Sequence, residues 1–408
     1  MTVSLHSLLT PQVILKAVSR IRKFQGRLGR WVGFQPNRFN PDNVSLEGPN
    51  VLYGDTRFAT FRLDDVTRVV AKGRAPGTGP ASVSVNPVGD VRVSCARFHE
   101  KVRLLGEFLG NLSPIIGPNS QIDTGGQSYI ARQTVHLAEK YNNTVELITT
   151  GMFQDNLFFQ LSGDNLLPVI GSPTAPNLGF QLPFQIPAGN KNQLSMLGAN
   201  QNIIQIGWQV AGAPLIKNCL MIQAAMTQLS GYQPKHFWLN SLGWYNVLLN
   251  AEVRNTAGTA NTPFAQYDRV PEMAVDGMPQ PEFAAQLRGL PWASWHIADD
   301  VLVTGGDIDP TWAQGAAAVT AGTTSIIKVC PDNTCIIAPD PSSDWTQLYQ
   351  GAEWISENAG QPMQLKRGYT FWKEWVTQPS CIELIALMNI IPLLYVPKAI
   401  AFATVAGF

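Results

Sequence analysis

"VVAKGRAPGTGPASVSVNPVGDVRVSCARF", residues 69–98, is the stretch on which the reading of this chain turns. Its two flanks are strand-like in composition, and its middle is crowded with glycine and proline. The tip, "GRAPGTGPASVSVNPVG" at 73–89, is seventeen residues long. A hairpin reverses direction with about two to five, and loops far beyond that length are functional or unstructured. Working outward, "TRFATFRLDDVTRVVAKG" (56–73) and "DVRVSCARFHEKVRLL" (90–105) supply the two sides of a finger. Neither flank has an apolar face large enough to close a core, and a lone two-stranded ribbon is marginal in water. The finger therefore needs cover, from the rest of the chain or from other copies of it.

Composition leans toward other copies. The chain has 408 residues, 45% of them hydrophobic and only 14% charged, against a usual charged share of about 25%. Length suffices for a substantial core divided into subdomains. With 29 basic and 29 acidic residues the net charge is zero, which excludes a global field drawing the chain onto nucleic acid. Five scattered cysteines, Cys95, Cys219, Cys330, Cys335 and Cys381, read as free thiols in a reducing compartment rather than a disulfide framework. The start shows no secretory signal pattern. The most apolar run, "LIALMNIIPLLYVPKAIAFATV" at 384–405, is broken by Asn389, Pro392, Pro397 and Lys398 before ~20 clean residues accumulate. It reads as two buried strands and not as a membrane span.

Residues 1–41 hold seven basic residues and no acid. Thr10 and Pro11 suit a helix start; Ile14, Ala17, Val18 and Ile21 then share one face, and Lys16, Arg20, Lys23 and Arg27 another. This basic amphipathic arm either docks by its apolar stripe or presents its charges to DNA, a scaffold or an acidic surface. Residues 29–50 have loop chemistry. Ile130, Thr134, Leu137, Ala138, Tyr141, Val145, Ile148 and Met152 recur at helical spacing, predicting a helix over 127–152, ~39 Å long. "NLFFQLSG" (156–163) reads as a strand and 166–190 as proline-rich loop. From Lys191 a second globular part begins, with helices over 213–231 and 239–255, the latter capped by Asn240 or Ser241. "TSIIKVCPDNTCIIAP" (324–339) has the pattern of a hairpin. Seven of eleven tryptophans follow residue 290, where ring burial or subunit contact is the expected use.

No catalytic, cofactor or metal site emerges. Cys330 and Cys335 lack the second pair a zinc site needs. His296, Asp299 and Asp300 cluster in sequence without a visible third partner, and a strand after a polar turn explains them equally. His99, Glu100 and Lys101 read as a solvated face. "GRAPGTGP" lacks the lysine-serine ending and following helix of a phosphate loop.

The ordered parts resemble the major capsid protein of tailed double-stranded DNA bacteriophages, the lambda-like major capsid E family. The residues carrying the resemblance are 71–105 (a basic Pro-Gly tip, Asn86-Pro87-Val88-Gly89, then Arg97-Phe98 and Glu100-Lys101), "LITTGMF", "WLNSLGWYNVLLNAEVR" and "IIPLLYVPKAIAFATV". The resemblance implies an α+β, tailed-phage major capsid (Hong Kong 97-like) fold. Its parts would be an N-terminal arm at 1–55, an extended β-hairpin loop at 56–104, a peripheral domain with a long spine helix at 105–194, an axial domain at 195–375 and a return to the peripheral domain at 376–408. It further implies a structural, non-enzymatic role: self-assembly into pentamers and hexamers of an icosahedral virion capsid, built in the host cytoplasm and enclosing double-stranded DNA held by weak non-specific contact. Scaffolding, portal and decoration proteins would be partners, with no cofactor and no membrane. Lys72, Gly73, Arg74, Pro76, Gly77, Asn86, Pro87 and Gly89 of the loop would touch a neighbouring subunit.

Some relatives carry a long cleaved scaffold segment; some 45 residues precede this finger, so a separate scaffold or none is expected. Covalent joining through Lys72 is not expected, since nothing in the sequence identifies its partner. The competing readings are an encapsulin-like nanocompartment shell, which would house a cargo enzyme, and an enzyme with a binding cleft in the Trp-rich lobe.

Overall fold

The apolar spacing after residue 124 produces one helix, Thr124–Gln154, about 46 Å long and two to three residues longer at each end than its periodicity predicts. Leu137, Ala138, Tyr141, Val145, Ile148 and Met152 are all buried along its inner face. It ends where Asp155 turns left-handed (φ 50°) and Asn156 N–H reaches back to Gly151 O at 3.1 Å. Gly151 is required there, because a Cβ would sit 2.9 Å from the Leu157 side chain of the departing strand. The computed structural model describes residues 27–35, 38–40, 45–62, 90–105, 124–162, 165–170, 178–182, 184–196, 201–256, 265–271, 281–287, 289–304, 325–355, 363–377 and 380–407.

The long helix lies on a five-stranded sheet built around the longest strand, Ser380–Leu394. One edge of that strand pairs with Thr370–Thr377; Ala96–Leu105 pairs with residues 381–390, and Thr346–Gly351 with residues 390–394. Val51–Gly54 adds in parallel to Thr346–Gly351. Alternation along the strands sends Phe371, Leu384, Ala386 and Met388 into the core under the helix. Tyr141 ties the layers, donating from its hydroxyl to Ala386 O at 2.7 Å; Tyr369 does the same to Ala138 O at 3.0 Å. Each aromatic ring buried here contributes roughly 1.5–3 kcal/mol.

The second sheet has seven strands, in the order Lys191–Asn192, Ala401–Thr404, Thr334–Ala338, His236–Leu239, Leu290–Ile297, Pro281–Leu287 and Ala265–Pro271. Its two faces feed different cores. Phe237, Leu239, Trp295, Ile337, Ala401 and Ala403 pack with the helix Leu215–Ser230, while Trp238, Ile336 and Ala338 join the core that holds the long helix. A three-stranded sheet, Asn165–Ile170, Leu157–Ser162 and Leu178–Leu182, follows the long helix.

Several expectations are corrected. Residues 166–190 contain two strands of that three-stranded sheet rather than loop alone, because pairing with Leu157–Ser162 outweighs a proline-rich composition. The hairpin expected at 324–339 does not form. Ser325–Lys328 pairs with Val301–Thr304, and Thr334–Ala338 pairs with His236–Leu239 and Ala401–Thr404. The helix expected over 239–255 is two, Ser241–Leu249 and Ala251–Thr256. Buried Asn250 breaks it: its side chain donates to Ala213 O and accepts from Glu252 N–H at 3.0 Å, capping the second helix. Part of the loop expected at 29–50 is a short helix, Arg27–Val32. Residues 384–405 do contain two strands, but each lies in a different sheet, and strands 346–351 and 370–377 sit with the long strand. Among the described residues no helix is long and apolar enough to cross a membrane.

Candidate functional site: the finger root and the arm anchor

The finger begins as a ribbon of two antiparallel strands, Phe58–Arg62 and Asp90–Ser94, in register from Phe58↔Ser94 to Arg62↔Asp90. Among the described residues it forms a sheet of its own. Phe58 is exposed, with the Arg92 guanidinium 4.5 Å over its ring, whereas Ala59 is buried. The tip residues Lys72, Gly73, Arg74, Pro76, Gly77, Asn86, Pro87 and Gly89 lie outside the described residues, as do Lys16, Arg20 and Lys23 of the arm.

The ribbon is rooted firmly in the five-stranded sheet. Cys95 N–H donates to Arg57 O at 2.8 Å and Ala352 N–H to Gly54 O at 3.0 Å. The Tyr349 hydroxyl lies 3.0 Å from Thr56 O and 3.2 Å from Phe58 O, donating to this pair of carbonyls. Glycines make room: a Cβ on Gly54 would stand 1.8 Å from the Tyr349 oxygen, and one on Gly351 2.7 Å from Thr56 O. Beside them buried Glu353 takes Arg57, Arg97 (Nη2 at 2.8 Å) and the Asn389 amide (2.9 Å). One strand turn along, buried Glu383 accepts from Lys101 Nζ at 3.0 Å and Arg103 Nε at 2.6 Å. Burial pushes the Glu383 carboxyl up, but Lys101 and Arg103 together hold it below its ordinary value. The four bases are about half exposed, so a charged face flanks the ribbon while its acids are sequestered. His99, expected on a solvated face, is exposed there and also stacks on Trp372 at 5.8 Å.

The arm is anchored where its last expected basic residue enters. Arg27 pairs with Asp300 at 3.7 Å and donates to Ile297 O, so this member of the basic set is engaged within the chain. Leu28, Val32 and Phe34 are fully buried. Glu146, on the inner face of the long helix, accepts the amide N–H of Leu28 at 2.9 Å and of Gly29 at 2.6 Å, with the Gln35 amide at 3.5 Å. It thereby satisfies donors that the first turn of a helix leaves open. Its burial raises the carboxyl to about 7, against the lowering effect of those amides.

His296 is joined not by Asp299 or Asp300 but by His236 and Asp340. His236 Nδ1 lies 2.9 Å from His296 Nε2, and His236 Nε2 2.9 Å from Asp340 Oδ1. With Asp340 accepting from Nε2–H, neutral His236 offers Nδ1 as acceptor and His296 donates. Trp31 of the arm covers the pair, its ring 4.9 Å from that of His236, while His296 stacks on Trp238 at 4.2 Å. Burial pushes His296 down to about 3 and lowers His236, with Asp340 opposing the latter shift. Asp299 instead accepts from Ser241 N–H at 2.7 Å, at the start of the following helix.

Cys330 and Cys335 are buried free thiols that belong to different cores, and among the described residues no group of three or more His, Cys, Asp or Glu is placed to hold a metal. Sequence reasoning missed Glu146, Glu353, Glu383, His236 and Asp340. For Glu146 and Glu383 a signal existed: each is an acid set inside an apolar run, "TVELI" and "CIELI", where an unpaired charge is costly.

No family model matches the chain, and no curated protein does. It is similar to solved structures along nearly their whole length. A phage-related protein from Bordetella bronchiseptica RB50 is 13% identical with a TM-score of 0.45, covering 98% of both chains. A prophage capsid protein from E. coli CFT073 is 10% identical with a TM-score of 0.49, covering 98% of this chain and 99% of that one. The SrpI encapsulin of Synechococcus elongatus PCC 7942 is 8% identical with a TM-score of 0.40, covering 91% and 89%.

Proposed function

We propose that this chain is the subunit of a closed protein shell, the major capsid protein of a tailed double-stranded DNA phage. The observation that carries this reading is the ribbon Phe58–Arg62/Asp90–Ser94, anchored at its root by Tyr349 and Glu353 yet hydrogen-bonded to no further strand among the described residues. A ribbon of that kind is marginal alone, and its open edges are satisfied by lying on another chain. Heterologous contacts of one finger on the next subunit close into rings, giving pentamers and hexamers. Many simultaneous contacts then hold each subunit although every one is weak.

In this reading Lys72, Gly73, Arg74, Pro76, Gly77, Asn86, Pro87 and Gly89 lie on a neighbour, and residues 1–55, 56–104, 105–194, 195–375 and 376–408 act as arm, extended loop, peripheral, axial and returning segments. Lys16, Arg20 and Lys23 offset phosphate charge or engage a scaffold, and the neutral body encloses double-stranded DNA without gripping it. The subunit is no enzyme; it assembles in the host cytoplasm, with scaffolding, portal and decoration proteins as partners, and ends in the virion.

The test is deletion of residues 73–89. Soluble subunits with an intact thermal transition that no longer form normal shells are expected; normal shells from the deletion would remove the role given to the finger.

A further inference from the structure

Among the described residues the strand Glu353–Ile355 pairs with Gln364–Lys366 alone, a two-stranded ribbon that forms its own sheet. Strand alternation sends Glu353 and Ile355 to one side of it. That side lies on the five-stranded sheet: Glu353 meets Arg97 and Asn389, and Ile355 packs with Trp372, Ile385 and Leu387. Trp354 therefore faces away from the sheet, opposite Leu365 in the register. Met363, two residues before Leu365, belongs to the same outward side by alternation. Trp354 is 63% exposed and Met363 66%, the two highest values for large hydrophobic side chains among the described residues. Apolar side chains gathered on the open side of a ribbon mark a contact with another molecule, and tryptophan is enriched at the centre of such contacts.

We propose that the Trp354, Met363 and Leu365 face receives the finger of a second copy of the chain, along the side formed by Ala81, Val83 and Val85. This docking presupposes that the finger reaches a neighbour, as in the shell reading above, and names the surface on which it lies. The length of the finger permits it. The ribbon is in register as far as Arg62↔Asp90, and residues 63–89 add about 13 residues a side, able to span up to about 44 Å at strand rise. The chemistry matches as well. Residues 75–89 contain no charge, and within them Ala81, Val83 and Val85 alternate with Ser82 and Ser84, which in extended chain puts the three apolar groups on one side. An uncharged apolar face of this kind buries the indole and the thioether without stranding a charge.

The place of the face selects the finger of another copy over other occupants. Glu353 holds Arg57 at the root of this copy's own finger, so Trp354 stands beside the point where that finger departs. Its own tip returns there only by folding the ribbon back over its length; a neighbour's finger needs no such reversal. An acidic or polyanionic partner would be drawn instead to the half-exposed Arg57, Arg97, Lys101 and Arg103. Adjacent residues then take the two ends of a head-to-tail contact: Glu353 anchors the departing finger, and Trp354 receives the arriving one. Each copy offers both ends, so the contact repeats from subunit to subunit until the ring closes.

Photo-crosslinking of the full chain tests this. A Trp354→p-benzoylphenylalanine variant, apolar and aromatic like the residue it replaces, is co-assembled with isotopically heavy wild type, irradiated and mapped by mass spectrometry. Adducts joining position 354 of the light chain to residues 81–85 of the heavy chain are expected. Adducts confined to the light chain itself, or to another segment of the heavy chain, in samples that do form particles would overturn the docking and leave the shell reading standing. Absence of any particle in the wild type under crowding and with added scaffold would remove the shell reading and the docking with it. A second measurement separates docking from folding. Trp354→Ser should leave the thermal midpoint of the unassembled subunit unchanged, since the side chain is exposed, while lowering particle yield by about tenfold or more. Trp354→Phe should recover most of that yield. A Trp354→Ser variant that assembles like the wild type would also overturn the proposal.

Discussion

The Tyr349 hydroxyl occupies the space in which a Cβ on Gly54 would stand, 1.8 Å away. This close approach is what lets one tyrosine reach the carbonyls of both Thr56 and Phe58 and fix the angle at which the finger leaves the sheet. Gly54→Ala must push the ring aside, at a cost of roughly 1–3 kcal/mol. Tyr349→Phe keeps the ring and loses only the hydroxyl, about 0.5–1.5 kcal/mol. Denaturant unfolding should rank the two in that order, and exchange of residues 58–62 should quicken in both. A silent Gly54→Ala would show that the root is looser than its geometry.

Glu353 gathers Arg57 from the finger root, Arg97 from the strand beyond it and Asn389 from the long strand. Replacing it with glutamine leaves both arginines able to turn to water but removes the charge-assisted bonds, an expected loss of roughly 1.5–3 kcal/mol. Its shells, where they form, should be the first to dissociate as temperature is raised, measured by light scattering alongside the wild type.

Glu383 supplies a pH signature. Its folded value is depressed by Lys101 and Arg103, so its contribution to stability is present above the ordinary 4.5 and is lost as pH falls through the folded value. The stability gap between wild type and Glu383→Gln should therefore be widest at neutral pH and shrink below about 4.5. Unfolding curves at three pH values measure it; a gap that widens in acid would reverse the assignment of its partners.

Asn250 both ends one helix and starts the next. Asn250→Ala leaves Ala213 O and the amides of Glu252 and Val253 without their partner. Unfolding should register a loss of roughly 1–3 kcal/mol, with no extension of the first helix in the circular dichroism signal.

What the sequence made legible was local. The long helix follows from apolar spacing, and the helix ending at Ser230 from Gly231, whose φ of 80° suits glycine. Asn240 was readable as a cap and does accept from Gly243 N–H. What failed depended on distant partners. Residues 325–338 look like a hairpin because two apolar runs flank a turn, yet Thr334–Ala338 is claimed by strands nearly a hundred residues upstream and some seventy downstream. Likewise His236 and Asp340 flank no motif, and only the pairing of His236–Leu239 with Leu290–Ile297 brings His236 to His296. The finger root was visible as two flanks; the glycine, tyrosine and glutamate that hold it come from segments some three hundred residues apart.

The most direct measurement is the mass and shape of the purified protein, by light scattering and electron microscopy of one sample. A shell subunit predicts closed particles of megadalton mass, hundreds of copies of the 44.6 kDa chain. A monodisperse species of single-chain mass that gives no capsomers under crowding or with added scaffold would contradict it.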